Sequence, residues 1–266
     1  MFDIRKRVWI FFALTYGLSW ILWIPAALFG QDFTSSAWGI PYILGGFGPS
    51  VAGVIMVYRT RDEEGRRDFW RRVVDFKRIS AGWYLFILLI FPAVFGVSFL
   101  LTTLLGKPLP AFETLTQIAA NPLTLIGMMI LGIITGPLSE ELGWRGFALD
   151  PLQERWSPLV SSLVIAPFWW AWHLPLFFME GRPQSTWGVS TPEFWLFLAG
   201  ILPLSILHTW VYNENRWSTL AAVLLHFAYN FTWSLVYPIS VSVNLLQVVL
   251  MSIAAVVLIL VVEPRP

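Results

Sequence analysis

Gly136-Pro137-Leu138-Ser139-Glu140-Glu141-Leu142-Gly143-Trp144-Arg145-Gly146-Phe147 closes an apolar run that begins near Leu123. Two adjacent carboxylates and a guanidinium lie in it. A charged side chain at the centre of a spanning helix costs about 2.5–3.5 kcal/mol on insertion scales, so such groups are paired or put to use. Glu141 and Arg145 stand four apart, acid before base, which is the favourable order for a pair on one helical face. Glu140 is rotated about 100° from Glu141, so Arg145 does not readily serve both. Glu140 is therefore expected to point elsewhere, towards the bundle interior.

Composition places this run in a membrane. Of 266 residues, 57% are hydrophobic and 12% charged, against about 25% charged in a soluble domain. With no cysteine, disulfides, thiolate catalysis and cysteine-ligated metal are excluded. A net charge of +1 says nothing about partners; the spans that flank the basic loop favour a membrane over nucleic acid, which is not expected as a partner. Sixteen Trp and 21 Phe suit aromatic belts at the two interfaces. After Arg5, Lys6 and Arg7, the apolar run from Val8 to Gly30 is longer than the roughly 7–15 residues of a signal-peptide core. It reads as an uncleaved first span.

Eight stretches approach the ~20 residues that a bilayer core requires: Val8–Phe29, Gly39–Tyr58, Trp83–Leu105, Leu123–Leu142, Leu159–Phe178, Phe194–Tyr212, Thr219–Tyr237 and Val243–Val262. With the N-terminus inside, fifteen of the 17 basic residues fall on the inner side, and only Lys107 and Arg182 fall outside. By the positive-inside rule both termini are cytoplasmic. The expected fold is an all-α polytopic bundle of about eight transmembrane helices. It forms a single transmembrane domain over residues 1–266, with a motif-bearing core at about 123–237.

In the second span Gly46, Ser50 and Gly53 share a face, which admits a close neighbouring backbone. Between Arg59 and Ser80, Phe69, Trp70, Val73, Val74 and Phe76 alternate with Arg66, Arg67, Arg71, Arg72 and Lys77. That pattern predicts an amphipathic helix on the inner leaflet, with its bases towards anionic headgroups. Gly106 to Asn121, broken by Pro108 and Pro110, reads as an external loop. Asp150 to Pro158 reads as an internal one, with Ser157-Pro158 as the cap and first position of the fifth helix.

All three histidines, His173, His208 and His226, lie in apolar spans, and intramembrane ionisable groups are functional by default. Trp169 and His173 are four apart, as are His226 and Asn230; His208 has no polar companion at that spacing. His173 needs a polar partner, and Glu140 is the obvious supplier. Glu140, Glu141, His173, His226 and Asn230 come from three helices and are candidates to meet in one cavity. A buried carboxylate can act as general base on a water, an imidazole can pass the proton to a leaving amine, and histidine and asparagine donors can hold an oxyanion. No serine or cysteine stands in a nucleophile arrangement, and no HExxH helix is present.

Glu-Glu-x-x-x-Arg at Glu140–Arg145, aromatic-x-x-x-His at Trp169–His173 and His-x-x-x-Asn at His226–Asn230 resemble the three motifs of the CPBP intramembrane proteases. That family comprises CAAX prenyl endopeptidases, bacteriocin-processing proteins and the Abi group. The resemblance covers about Gly136 to Asn230. It implies an eight-helix bundle with a cavity open to the cytoplasmic side, hydrolysing peptide bonds in or near the bilayer. Glu140 would activate water with help from His173, His226 and Asn230 would stabilise the oxyanion, and Glu141 and Arg145 would support them. Trp169 replaces the family's usual Phe, and the larger ring is expected to reshape the pocket without removing chemistry. His208 stands between structural hydrogen bonding and a supporting role.

The resulting expectation is an intramembrane endopeptidase using glutamate-activated water and no cofactor. Its substrate is a peptide or protein, prenylated or membrane-bound. The alternatives are a zinc peptidase with Glu140, His173 and His226 as ligands, and a non-enzymatic transporter or immunity scaffold. A short chain without extra domains points to a bacterial cell membrane.

Overall fold

A computed structural model describes residues 4–29, 37–181 and 183–262; Arg182 and Arg265 of the charge count lie outside these. Among the described residues the secondary structure is helical throughout, with no strand. In order come α1 (Ile4–Leu28), α2 (Gly39–Gly46), α3 (Gly48–Thr60), α4 (Glu63–Val74), α5 (Ala81–Leu104), α6 (Glu113–Ala120) and α7 (Leu123–Ile133). The same axis continues through α8 (Ser139–Gly143) and α9 (Leu149–Gln153); α10 (Pro158–Trp172), α11 (Pro192–Glu214), α12 (Thr219–Val236) and α13 (Val241–Val262) complete the chain. Seven described helices are long and apolar enough to cross a membrane, or eight when the bent pair α2 and α3 counts as one span. The chain is a polytopic helical bundle.

Three boundaries differ from expectation, each for a local reason. The second span bends by 41° at Phe47, where Gly48-Pro49 follows; Pro49 lacks a backbone N–H to donate across the turn. The fourth span does not stop at Leu142 but runs from Leu123 to Gln153. Arg145 is fully buried there, so its charge is met inside the bundle instead of ending the helix. The connection expected as a plain loop between Gly106 and Asn121 contains α6, a short helix over Glu113–Ala120. The predicted start of α10 stands: Ser157 Oγ accepts from the Val160 N–H at 3.3 Å, with Pro158 at the first position.

The close approach expected of the second span is made to the fourth. Ser50 Oγ donates to the Leu138 carbonyl at 2.9 Å. A Cβ on Gly53 would stand 2.8 Å from the Leu142 carbonyl oxygen, and one on Gly143 only 2.2 Å from that of Pro49. α3 and α8 therefore meet backbone to backbone, and this contact fixes the height and rotation of the Glu140-Glu141 turn.

The helix predicted between Arg59 and Ser80 forms as α4, but it does not simply float on lipid. Phe69 is fully buried and reaches Gly146. Arg72, expected to face headgroups, turns inward. Its guanidinium pairs with Asp150 at 2.8 Å and Asp68 at 2.5 Å and donates to Tyr212 Oη at 2.8 Å. Paired acceptors on the bundle outweigh lipid phosphates for this one base, while Trp70 and Val74 on the same helix stay exposed.

Because rigid backbone faces Gly143, overpacking there has no cheap relief; such strain typically costs about 1–3 kcal/mol. Gly143→Ala is expected to lower the thermal unfolding midpoint in detergent by several degrees. Gly17→Ala, with open space around its Cβ, serves as the control and is expected to leave the midpoint unchanged.

Candidate active site

The segment that carries the acids is irregular. Wide turns over Ile134–Leu138 and Trp144–Ala148, each closing an extra residue per turn, bracket α8. Pro137 sits in the first and removes a backbone donor. Such π-type turns inside α-helices recur at functional sites.

Between them Glu141 and Arg145 pair as expected. Arg145 Nη1 lies 3.0 Å from both Glu141 carboxylate oxygens, with both side chains fully buried. His226 Nδ1 stands 2.9 Å from Glu141 Oε1. Glu140, 7% exposed, faces the other way. Its Oε2 accepts from the Trp169 indole N–H at 2.7 Å. The two neighbouring acids thus have different partners, one a cation and the other a neutral donor.

Trp169 is the hub of the site. Its ring lies under the Arg145 guanidinium at 4.5 Å and edge-on to His226 at 5.3 Å and His208 at 5.6 Å. Its carbonyl takes His173 Nδ1 at 2.7 Å. That carbonyl is available because α10 ends here: the His173 backbone N–H goes to Trp170 at 3.0 Å, and Pro175 two residues on cannot continue the ladder. The expectation that Glu140 would supply the His173 partner is revised for Nδ1, which meets the freed backbone carbonyl.

These bonds set the ring tautomers. Carbonyl and carboxylate oxygens accept, so Nδ1 carries the hydrogen in both His173 and His226. A neutral ring then presents Nε2 as a lone pair. His173 is thereby arranged to receive a proton. His226 can donate from Nε2 only as the imidazolium, with Glu141 beside it as counter-charge.

Glu140, Trp169, His173, His226 and Asn230 all line one cavity of about 390 Å³. The geometry brings together the four residues expected to do chemistry, on α8, at the C-terminal cap of α10 and on α12. Gly136 is part of this arrangement, since a Cβ there would come within 3.3 Å of Asn230 Nδ2. His208 is buried one layer behind, with Nδ1 2.7 Å from the Leu204 carbonyl. Sequence reasoning passed over Ser205, whose Oγ lies 3.5 Å from Arg145 Nη2. Ser205 and His208 at a spacing of three, with Thr209 beside them, were the available signal. Among the described residues, the group whose potential metal-ligand atoms cluster within 4.8 Å is Glu141, His208 and His226, not the anticipated set of Glu140, His173 and His226.

Residues 122–232 match the family model described as type II CAAX prenyl endopeptidase Rce1-like. The chain is also 29% identical over 227 residues to CAAX prenyl protease 2 of Methanococcus maripaludis, across 83% of this chain and 82% of the relative. Both likenesses are to CAAX prenyl proteases, and they support a protease of the CPBP family. The matched region carries all three motifs, and the likeness supports a peptide-bond hydrolase embedded in the membrane. That relative is archaeal, so the likeness does not single out bacteria.

The expectation that tryptophan at 169 changes only pocket shape is too modest. The indole N–H makes a bond to Glu140 that a phenylalanine has no atom to make. Hydrogen bonds to charged groups contribute about 1.5–3 kcal/mol. Trp169→Phe is therefore expected to lower kcat by about tenfold or more, read in a peptide-cleavage assay with unfolding monitored in parallel.

Proposed function

We propose that the chain is an intramembrane endopeptidase that hydrolyses a peptide bond with a water activated by Glu140. The observation that carries this is the split between the two acids. Arg145 and His226 hold Glu141, whereas Glu140 faces the cavity with one oxygen on a neutral donor and the other open to a nucleophile.

In this reading Glu140 takes a proton from the water as the oxygen attacks the scissile carbonyl. The Asn230 amide, with His226 in its imidazolium form, donates to the developing oxyanion. His173 Nε2 receives that proton from Glu140 and passes it to the leaving amine as the carbon–nitrogen bond breaks, which returns Glu140 to its carboxylate form. One water is consumed, and a carboxylate and an amine are released.

Zinc is the competing cofactor reading, and the donor set does not fit it. Both oxygens of Glu141 are occupied by a guanidinium, so a dication there would be set against a buried positive charge. Glu140 offers one oxygen beyond its bond to Trp169, and the chemistry needs that oxygen as base. No step is assigned to a metal.

The substrate is a peptide or protein segment that reaches the cavity from the bilayer or its inner surface. The walls beyond the polar groups include Trp23, Ile43, Met128, Phe197, Phe231 and Val248. An apolar lining of this kind suits a lipid-modified or membrane-bound segment, in line with the prenyl substrates named for the matched family and relative. The charge asymmetry supports a cytoplasmic location for both termini.

Glu140→Gln keeps the acceptor for Trp169 and removes the base. Proteoliposomes carrying this variant are expected to lose cleavage by 10²–10⁴-fold, the usual contribution of general acid–base catalysis, while folding as the parent does. Wild-type rates in that variant would overturn the reading.

A further inference from the structure

His208 on α11 is fully buried, and its Nδ1 is committed to the Leu204 carbonyl. The carbonyl accepts, so Nδ1 carries the hydrogen and a neutral ring presents Nε2 as a lone pair. That Nε2 is buried and has no hydrogen-bond partner among the described residues. A complementary atom is close by. Arg145 Nε–H is a buried donor that likewise has no partner among the described residues. The guanidinium reaches Ser205, one turn before His208, and both side chains flank the Trp169 ring.

Glu141, His208 and His226 complete the layer, each offering one ligand atom, with the three atoms within 4.8 Å of one another. Within that group His226 Nδ1 already meets Glu141 Oε1 at 2.9 Å, and His208 is the member with an unsatisfied ring nitrogen. A buried polar site with two to four such partners is where an ordered water is held.

We propose that His208 is a positioning residue, which through one buried water shared with Arg145 holds the Glu141–His226 pair in register with the cavity. The water accepts from Arg145 Nε–H and donates to His208 Nε2, with its second hydrogen towards Glu141. His226 then keeps its orientation while its cavity face works on substrate. This rests on the hydrolytic reading of the same site.

The test uses the full-length protein in three variants. The His208→Gln amide extends to where Nε2 stands, that of His208→Asn reaches only the Nδ1 position, and His208→Phe keeps ring volume alone. Expected are a kcat about tenfold lower in His208→Asn and His208→Phe, the cost of roughly one hydrogen bond, with KM unchanged and with recovery in His208→Gln. Recovery in His208→Asn but not His208→Gln, or wild-type kcat in all three, overturns the proposal. So does stoichiometric zinc that His208→Phe loses. A readout independent of cleavage is nitrogen-15 and water-contact NMR of ring-labelled wild-type protein. The His208 ring is expected to show a cross-peak to a long-lived water, and its absence overturns the proposal even if variants fail to fold. Failure of wild-type protein to cleave any peptide, with that cross-peak present, would instead count against the peptidase reading alone.

Discussion

The buried pair between Arg145 and Glu141 is the contact on which the rest of the site depends. Removing one partner of such a pair leaves an uncompensated charge and typically costs about 3–5 kcal/mol, so neither side chain is free to change role. With the only buried cation of the fourth span committed to Glu141, the acid next to it has no cationic partner there. Glu140 is held by an indole N–H, which orients a carboxylate without fixing its charge. A general base must take up and give back a proton, and a neutral donor permits this where a guanidinium would resist it.

The scaffold serves that division of labour. Backbone contact between Pro49 and Gly143 sets where the acids stand. Two wide turns loosen the helix around them, and the end of α10 releases the carbonyl that orients His173. α4 closes over this region, with Phe69 against Gly146 and Arg72 on Asp150. Local irregularity in a membrane helix is tolerated where protein or a polar cavity satisfies the backbone, and here the first irregular turn borders such a cavity while the second is buried in protein.

Much of this was readable in the chain, because apolar run lengths and four-residue spacings are direct consequences of helix geometry. Glu141–Arg145 and His226–Asn230 were visible for that reason, and so was the small-residue face around Gly53. Other features depend on contacts between segments far apart in sequence. Nothing near Trp169 indicates that its N–H reaches an acid 29 positions earlier, or that Arg72 leaves the lipid face for Asp150, 78 residues away. The run past Leu142 looked like a helix end because Arg145 looked like an interfacial charge. Burial of its partner reverses that inference, and Glu141 alone could not reveal how deep the pair sits.

The central claim is that the attacking oxygen belongs to a water and not to a carboxylate of the chain. A first-turnover cleavage in oxygen-18 water, with the new C-terminus analysed by mass spectrometry, tests it most directly. The account predicts one solvent-derived oxygen in that product carboxylate from the first turnover and unlabelled Glu140. An unlabelled first product, with the label found instead in Glu140 after turnover, would show attack by the carboxylate itself and contradict it.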